Sequence, residues 1–150
     1  MILLAHMLFG AATGSIIKNP ILAIILALFG HYFLDLFPHV DYSVDNLKNK
    51  DWKKSLPDIS KISLDIFSAL LIIFLFSSND LLVYICAIVA LIPDSMTLIS
   101  KLFPNKLFSW HDYVHTQKIH FLKYKKISNF WRVLTQLIAI SLSILLLTLR

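Results

Sequence analysis

Long apolar runs separated by shorter polar stretches dominate the hydropathy pattern of this chain. Five runs cover about residues 1–17, 20–37, 62–78, 81–103 and 130–149. A helix of about 18 residues is ~27 Å long, close to the ~30 Å hydrocarbon core of a bilayer. The pattern therefore predicts an all-α membrane protein, a bundle of about five transmembrane helices in a single domain over residues 1–150.

The stretches between the runs carry signals for helix ends and for interfacial segments. Pro20 suits the first turn of the second helix, and Pro38 ends it because the residue before a proline disfavours helical geometry. Residues 77–80 predict a tight turn. The two long loops, 42–61 and 104–128, mix lysines with aromatic residues. Such a mixture is typical of segments that lie in the headgroup layer.

Composition agrees with a membrane environment. Hydrophobic residues make up 57% of the chain, and the mean hydropathy is +0.73. The net charge of +5 lies mostly beside apolar runs, which favours contact with anionic phospholipid headgroups over nucleic acid. Cys86 is the single cysteine and therefore excludes an internal disulfide.

The basic residues predict the orientation in the membrane. Twelve of the 14 lysines and arginines lie in or beside the two long loops, and only Lys18 and Arg150 fall on the opposite side. The positive-inside rule then places the N-terminus and both loops in the cytoplasm and the C-terminus outside. We expect a multi-pass protein of a bacterial or archaeal inner membrane. The first run lacks a preceding basic residue and contains His6, so we expect a retained helix rather than a signal peptide.

This topology brings the ionisable residues of the runs to one membrane face. Such groups are costly inside a bilayer and are usually functional. His31 and Asp35 are one helical turn apart and share a helix face. His6 shares a stripe with Gly10 and Gly14. Because small residues at this spacing let helices pack closely, we expect His6 to face the bundle.

Histidine and aspartate gathered in this way suit a divalent metal ion. Neutral imidazole with carboxylate favours zinc, with manganese or iron as alternatives. The predicted ligands are His6, His31, Asp35, Asp94 and His111. This set allows one ion or two, and with two ions Asp35 would bridge them. An interhelical hydrogen-bonded pair is the alternative interpretation of His31 with Asp35.

Four further residues are predicted to take part in catalysis. Asp65 or His115 would transfer a proton, and His39 with Asp41 would support the ligands or bind a second metal ion. Asp65 is equally interpreted as a helix-terminal residue that favours the dipole, and His39 with Asp41 as turn residues. We expect His120 to be solvated.

Three parts of the sequence resemble the small membrane-bound metal-dependent hydrolases of bacteria and archaea. That family has a first-helix histidine followed by a glycine, as His6 and Gly10 are here. It continues into a Pro-Asp-x-Asp-like motif, which reads Pro-His-Val-Asp at 38–41, and later has a histidine-rich segment, His-Asp-Tyr-Val-His at 111–115. The latter segment lacks the family's usual arginine and glycine. The resemblance implies metal-dependent hydrolysis and names no substrate.

Together these features predict a membrane-embedded metal-dependent hydrolase that acts on a lipid phosphoester at the cytoplasmic leaflet. A metal-ion or proton transporter or channel ranks second, because a conducting path needs polar groups through both halves of the bilayer. The third alternative is a non-catalytic membrane partner in which the histidines hold helices together.

Overall fold

The computed structural model describes residues 1–77 and 80–149, so part of the predicted turn at 77–80 lies outside the described residues. All regular structure within these ranges is helical, which confirms the predicted all-α class. The α-helices are α1 (Leu3–Ile16), α2 (Pro20–Asp35), α3 (Asp45–Lys48), α4 (Leu56–Phe76), α5 (Leu81–Val89), α6 (Ile92–Leu102), α7 (Lys106–Tyr113) and α8 (Asn129–Thr148).

Two of these helices are individually long and apolar enough to span a membrane. They are α4, with 21 residues, and α8, with 20 residues. A third span results if α5 and α6, which are bent by 41° at the break between them, cross together. α1 and α2 are apolar but shorter, at 14 and 16 residues. By length and composition the described chain has two to three spans, consistent with a membrane protein, and the predicted five-span bundle is not confirmed.

α1 is the central helix and packs against α2, α4, α5 and α8. Its glycines allow a close approach of α5. A Cβ atom at Gly10 would overlap the carbonyl oxygen of Cys86, and one at Gly14 would lie 2.9 Å from that of Leu82. The small-residue stripe is therefore a packing face, and it places His6, which is fully buried, inside the bundle.

We expect Gly10→Ala to lower the free energy of unfolding by about 1–3 kcal/mol, the usual effect of overpacking. The new methyl group would meet the backbone of α5, which moves only if the whole helix moves. Gly30→Ala is the matched control, because its methyl group would meet the Phe9 ring, which turns more easily. Thermal unfolding in detergent compares the two variants, and an equal loss of stability in both would contradict this packing explanation.

The helix directions bring the polar residues to one end of the bundle. α1 begins at this end and α2 returns to it, because the short connection between them makes them antiparallel. The break between α5 and α6 lies against the last turns of α2, where the Nδ1 atom of His31 contacts the carbonyl oxygen of Ala90 at 2.7 Å. The start of α8 is there as well, since Gln136 accepts a hydrogen bond from the Val40 backbone. This end holds the candidate site.

Candidate metal centre

A buried carboxylate, that of Asp35, lies at the centre of the polar end. Its side chain is fully buried at the last turn of α2. Its Oδ2 atom lies 3.0 Å from Nε2 of His31, 3.1 Å from Nε2 of His115 and 3.1 Å from Nε2 of His120. Helix α2 and the segment after α7 therefore direct three imidazoles to one carboxylate oxygen.

The other oxygen of Asp35 faces a second set of groups. Its Oδ1 atom lies 3.2 Å from Nε2 of His6 and 3.8 Å from Nε2 of His39. The α-amino group of Met1 lies 2.8 Å from this oxygen and 3.0 Å from Oδ1 of Asp41. The space between the two carboxylates thus accommodates a positively charged group.

The Nδ1 atoms of two histidines show how their rings are held. The Nδ1–H group of His31 donates to the carbonyl oxygen of Ala90, and that of His39 donates to the carbonyl oxygen of Phe37, both at 2.7 Å. A carbonyl oxygen only accepts, so Nδ1 carries a proton in both rings. The Nε2 atom of each ring is left to face the carboxylates and the neighbouring imidazoles. Histidines that bind a metal ion through one nitrogen typically donate the other N–H to a carbonyl oxygen in this way.

Two groups of side chains in the described part of the chain have the spacing of metal ligands. One consists of His31, Asp35, Asp94 and His115, and the other of Asp35, His39 and His120. Within each group one ligand atom per residue lies within 4.8 Å of the others. The predicted divalent metal therefore has a buried His/Asp cluster that could hold it, and Asp35 belongs to both groups.

His6 is placed beside this cluster. Its ring stacks on that of His31, with centroids 3.9 Å apart and an angle of 21° between the planes. Both of its ring nitrogens are buried and make no hydrogen bond within the described ranges. A buried polar atom without a partner often marks an ion or water site, so His6 fits a ligand on the Oδ1 side of Asp35.

His111, also predicted as a ligand, lies outside both groups. Its Nε2 atom is 3.0 Å from the hydroxyl oxygen of Tyr32, and its ring stacks on that of His115 at 5.4 Å. The structure thus places it next to a ligand candidate rather than against Asp35.

The four residues predicted to act in catalysis fall into two sets. His115 and His39 belong to the metal-ligand groups, and Asp41 lies 3.3 Å from Nε2 of His39. Asp65 lies in the middle of α4 and faces the start of α1, where its Oδ2 atom accepts a hydrogen bond from the backbone N–H of Leu3 at 2.9 Å. The interpretation of Asp65 as a terminal residue of its own helix is therefore wrong, because α4 begins at Leu56, and a catalytic role for Asp65 stays a prediction.

His120 is a site residue that the sequence did not identify. The expectation that it is solvated is wrong, since it is 8% exposed and contacts Asp35. The chain forms a π-helix over Val114–Ile119, and the N–H group of His120 donates to the carbonyl oxygen of His115 at 3.1 Å. This i to i+5 bond belongs to a π-turn and brings both imidazoles to the same oxygen. A spacing of five is no signal on an α-helix, so only the histidine itself could have pointed to the site.

Burial in this segment also affects protonation. It lowers the pKa of His120, and together with the neighbouring His115 it lowers the pKa of His111. Burial alone would raise the pKa of Asp41, but the His39 imidazole beside it and the nearby positive charges outweigh burial and hold that pKa below its usual value. Neutral imidazoles and an ionised carboxylate are the forms that bind metal ions.

A cavity of about 460 Å³ opens beside the cluster. Its wall includes Asp41, Asp94, His115 and His120, and three lysines stand around it, Lys48, Lys101 and Lys123. Lys101 forms an ion pair with Asp112, and Nζ of Lys123 lies 2.9 Å from Oδ2 of Asp41. The cluster is thus reached through a space with a cationic rim.

Comparison of the chain with protein-family models, with curated proteins and with solved structures finds no match.

Proposed function

We propose that this protein is a membrane-embedded metal-dependent hydrolase that acts on a lipid phosphoester. The observation that carries the proposal is the set of imidazole Nε2 atoms around the buried Asp35 carboxylate. Two of the rings, those of His31 and His39, have their Nδ1 protons committed to carbonyl oxygens. Their Nε2 atoms are thereby directed at the carboxylates, as in a metal-ligating histidine whose other nitrogen donates to a carbonyl oxygen.

The ligand chemistry supports two divalent ions bridged by Asp35. Its Oδ2 atom faces His31, His115 and His120, and its Oδ1 atom faces His6 and His39. The two ligand groups share only Asp35. Imidazole-rich sites favour zinc, with manganese or iron as alternatives. Ions held there would polarise a phosphoryl oxygen and acidify water, and a pair of ions suits displacement at phosphorus.

The chain's own residues supply binding and charge around this centre. Lys101 and Lys123 line the cavity beside the ligand groups, where they can balance the charge of a phosphate group. Of the two residues predicted for proton transfer, His115 lines the cavity, whereas Asp65 is engaged at the start of α1. Asp94 also reaches the cavity, and its side chain is 26% exposed.

The proposed location is the cytoplasmic leaflet of a bacterial or archaeal inner membrane. The lysine-rich segments lie at the same end of the bundle as the metal centre, as Lys48, Lys101 and Lys123 show. In this arrangement α1 and α2 complete a five-helix membrane bundle with α4, α8 and the bent pair α5–α6. A site at headgroup depth meets lipid phosphates without moving them far.

The test uses the full chain purified in detergent. Elemental analysis is expected to find one to two equivalents of a divalent ion, as the two ligand groups imply. A panel of phospholipids, phosphatidic acid included, is expected to show hydrolysis that stops on chelation and returns when the ion is restored. Bound metal with ion flux in vesicles and no hydrolysis would support the transporter instead. Protein that binds no metal would support the non-catalytic partner.

A further inference from the structure

The cavity beside the metal centre has both polar and apolar walls. The three lysines, Asp94 and His115 are among its polar lining residues. Its apolar lining comes from two sides, from Ile62 and Ile66 of α4 and from Leu91 and Leu98 at α6. An aqueous phosphate-binding site would not need these apolar walls, because hydrated apolar walls contribute nothing to binding a small anion.

The two helices that supply these apolar residues share no substantial direct contact within residues 1–77 and 80–149. α4 packs on α1 and α8, α6 packs on α7 and contacts α2, and α3 contacts both α4 and α6. Both helices also carry exposed apolar side chains, among them Leu64 on α4 and Ile99 on α6. The apolar walls therefore belong to two helices that suit lipid surroundings and are linked by α3.

We infer that an acyl chain of an anionic membrane lipid lies in the space between these apolar walls. The space is here called the lateral gap and is defined by Ile62, Ile66, Leu91 and Leu98. The lipid's phosphate group then lies among the lysines beside the metal centre. The inference rests on the proposed function for the phosphoryl group as the reacting group. It adds that the lipid is anionic and where its acyl chain lies, so that the substrate is held through this chain as well as through its phosphate group.

Charge complementarity favours this occupant. Lys101 and Lys123 already face the carboxylates of Asp112 and Asp41, whereas Lys48 makes no ion pair within the described part of the chain and lines the same cavity. A lysine in the cavity wall is attracted to anionic lipid, and the apolar side chains of the lateral gap remove the acyl chain from the solvent. One anionic lipid can therefore meet both kinds of lining residue, the lysines with its phosphate group and the apolar side chains with its acyl chain.

The test fills the lateral gap from each wall in turn. Ile62→Trp narrows it from α4 and Leu98→Trp from α6; both side chains are partly buried and lie outside the buried core clusters. The matched controls are Leu64→Trp and Ile99→Trp, which add the same side chain to exposed positions of the same helices. Because the two walls belong to different helices, the inference can still be tested with one gap variant if the other variant fails to fold.

The readout is the phosphatidic acid retained by detergent-purified protein, measured by native mass spectrometry. We expect retention to fall at least about tenfold in both gap variants, since loss of only two buried methylene groups already accounts for such a change. Both controls should retain the lipid like the unmodified chain. Normal retention in the gap variants would overturn the inference. The inference would also be overturned if glycerol 3-phosphate displaced the lipid as effectively as lysophosphatidic acid does.

Hydrolysis of a soluble phosphate ester, p-nitrophenyl phosphate, separates this inference from the proposed function. Retention that depends on the gap, without hydrolysis of any phosphoester, would leave the lipid site in place and overturn the hydrolase. Hydrolysis that persists while gap variants retain lipid normally would leave the hydrolase in place and overturn the lateral gap.

Discussion

Asp35→Asn should abolish metal binding, with a loss of affinity above about 100-fold. Even partners that only orient metal ligands are worth 10–100-fold in affinity, and Asp35 is fully buried and shared by both ligand groups. The asparagine keeps the size of the side chain but removes the charge around which the imidazoles are gathered. Elemental analysis of dialysed protein and calorimetric titration with zinc measure the effect.

Asp65→Asn is the matched control for this substitution. It removes the same charge from the same end of the bundle, and its amide oxygen can still accept the hydrogen bond from Leu3 that the aspartate accepts. This variant should keep its metal ions. Should Asp35→Asn bind metal like the unmodified chain, the metal centre described here is wrong. Loss of hydrolysis in Asp65→Asn with full metal content would support the predicted proton-transfer role of Asp65.

Helical periodicity and proline placement made much of the site's geometry predictable. His31 and Asp35 are four residues apart in an apolar run that Pro20 begins, so they share a face whatever the neighbouring helices do. The stripe of Gly10 and Gly14 fixed the direction of His6 in the same way, because α5 packs directly on the glycines. The helical spacing of these residues is a property of a single helix, so it can be recognised in one sequence without knowledge of the neighbouring helices.

The rest of the site's geometry depended on breaks in the regular backbone. Pro93 predicts a break within the apolar run at 81–103, and the helix does break beside it, between α5 and α6, with a bend of 41°. A proline interrupts the helical hydrogen bonds, and the break places the Ala90 carbonyl oxygen where the Nδ1–H group of His31 donates to it. The π-turn that brings in His120 has no comparable signal in the sequence.

The boundary of α4 shows a second limit of hydropathy. The third run was predicted to begin at residue 62, but the helix begins at Leu56. Its first turn contains Pro57, which is suited to that position, and Asp58, which accepts a hydrogen bond from the Leu47 backbone at 3.1 Å. A search for apolar runs does not detect a polar first turn of this kind.

The two ligand groups should be separable by substitution. His115→Ala removes an imidazole from the group that contains Asp94, and His39→Ala removes one from the group that contains His120. If Asp35 bridges two ions, each variant should lose about one equivalent and keep the other, because one ligand set stays complete. Elemental analysis of the purified variants, beside Asp35→Asn, gives the stoichiometry.

His111→Ala is the control that makes this stoichiometry informative. The sequence predicts His111 as a ligand, whereas the structure places it against Tyr32 and outside both groups. This variant should therefore keep both ions, although it removes a histidine from the same segment as His115 does. Loss of an ion in His111→Ala would show that its ring turns toward the centre when metal binds. Loss of all metal in either His115→Ala or His39→Ala would mean that the imidazoles surround a single ion, and the bridging role of Asp35 would be wrong.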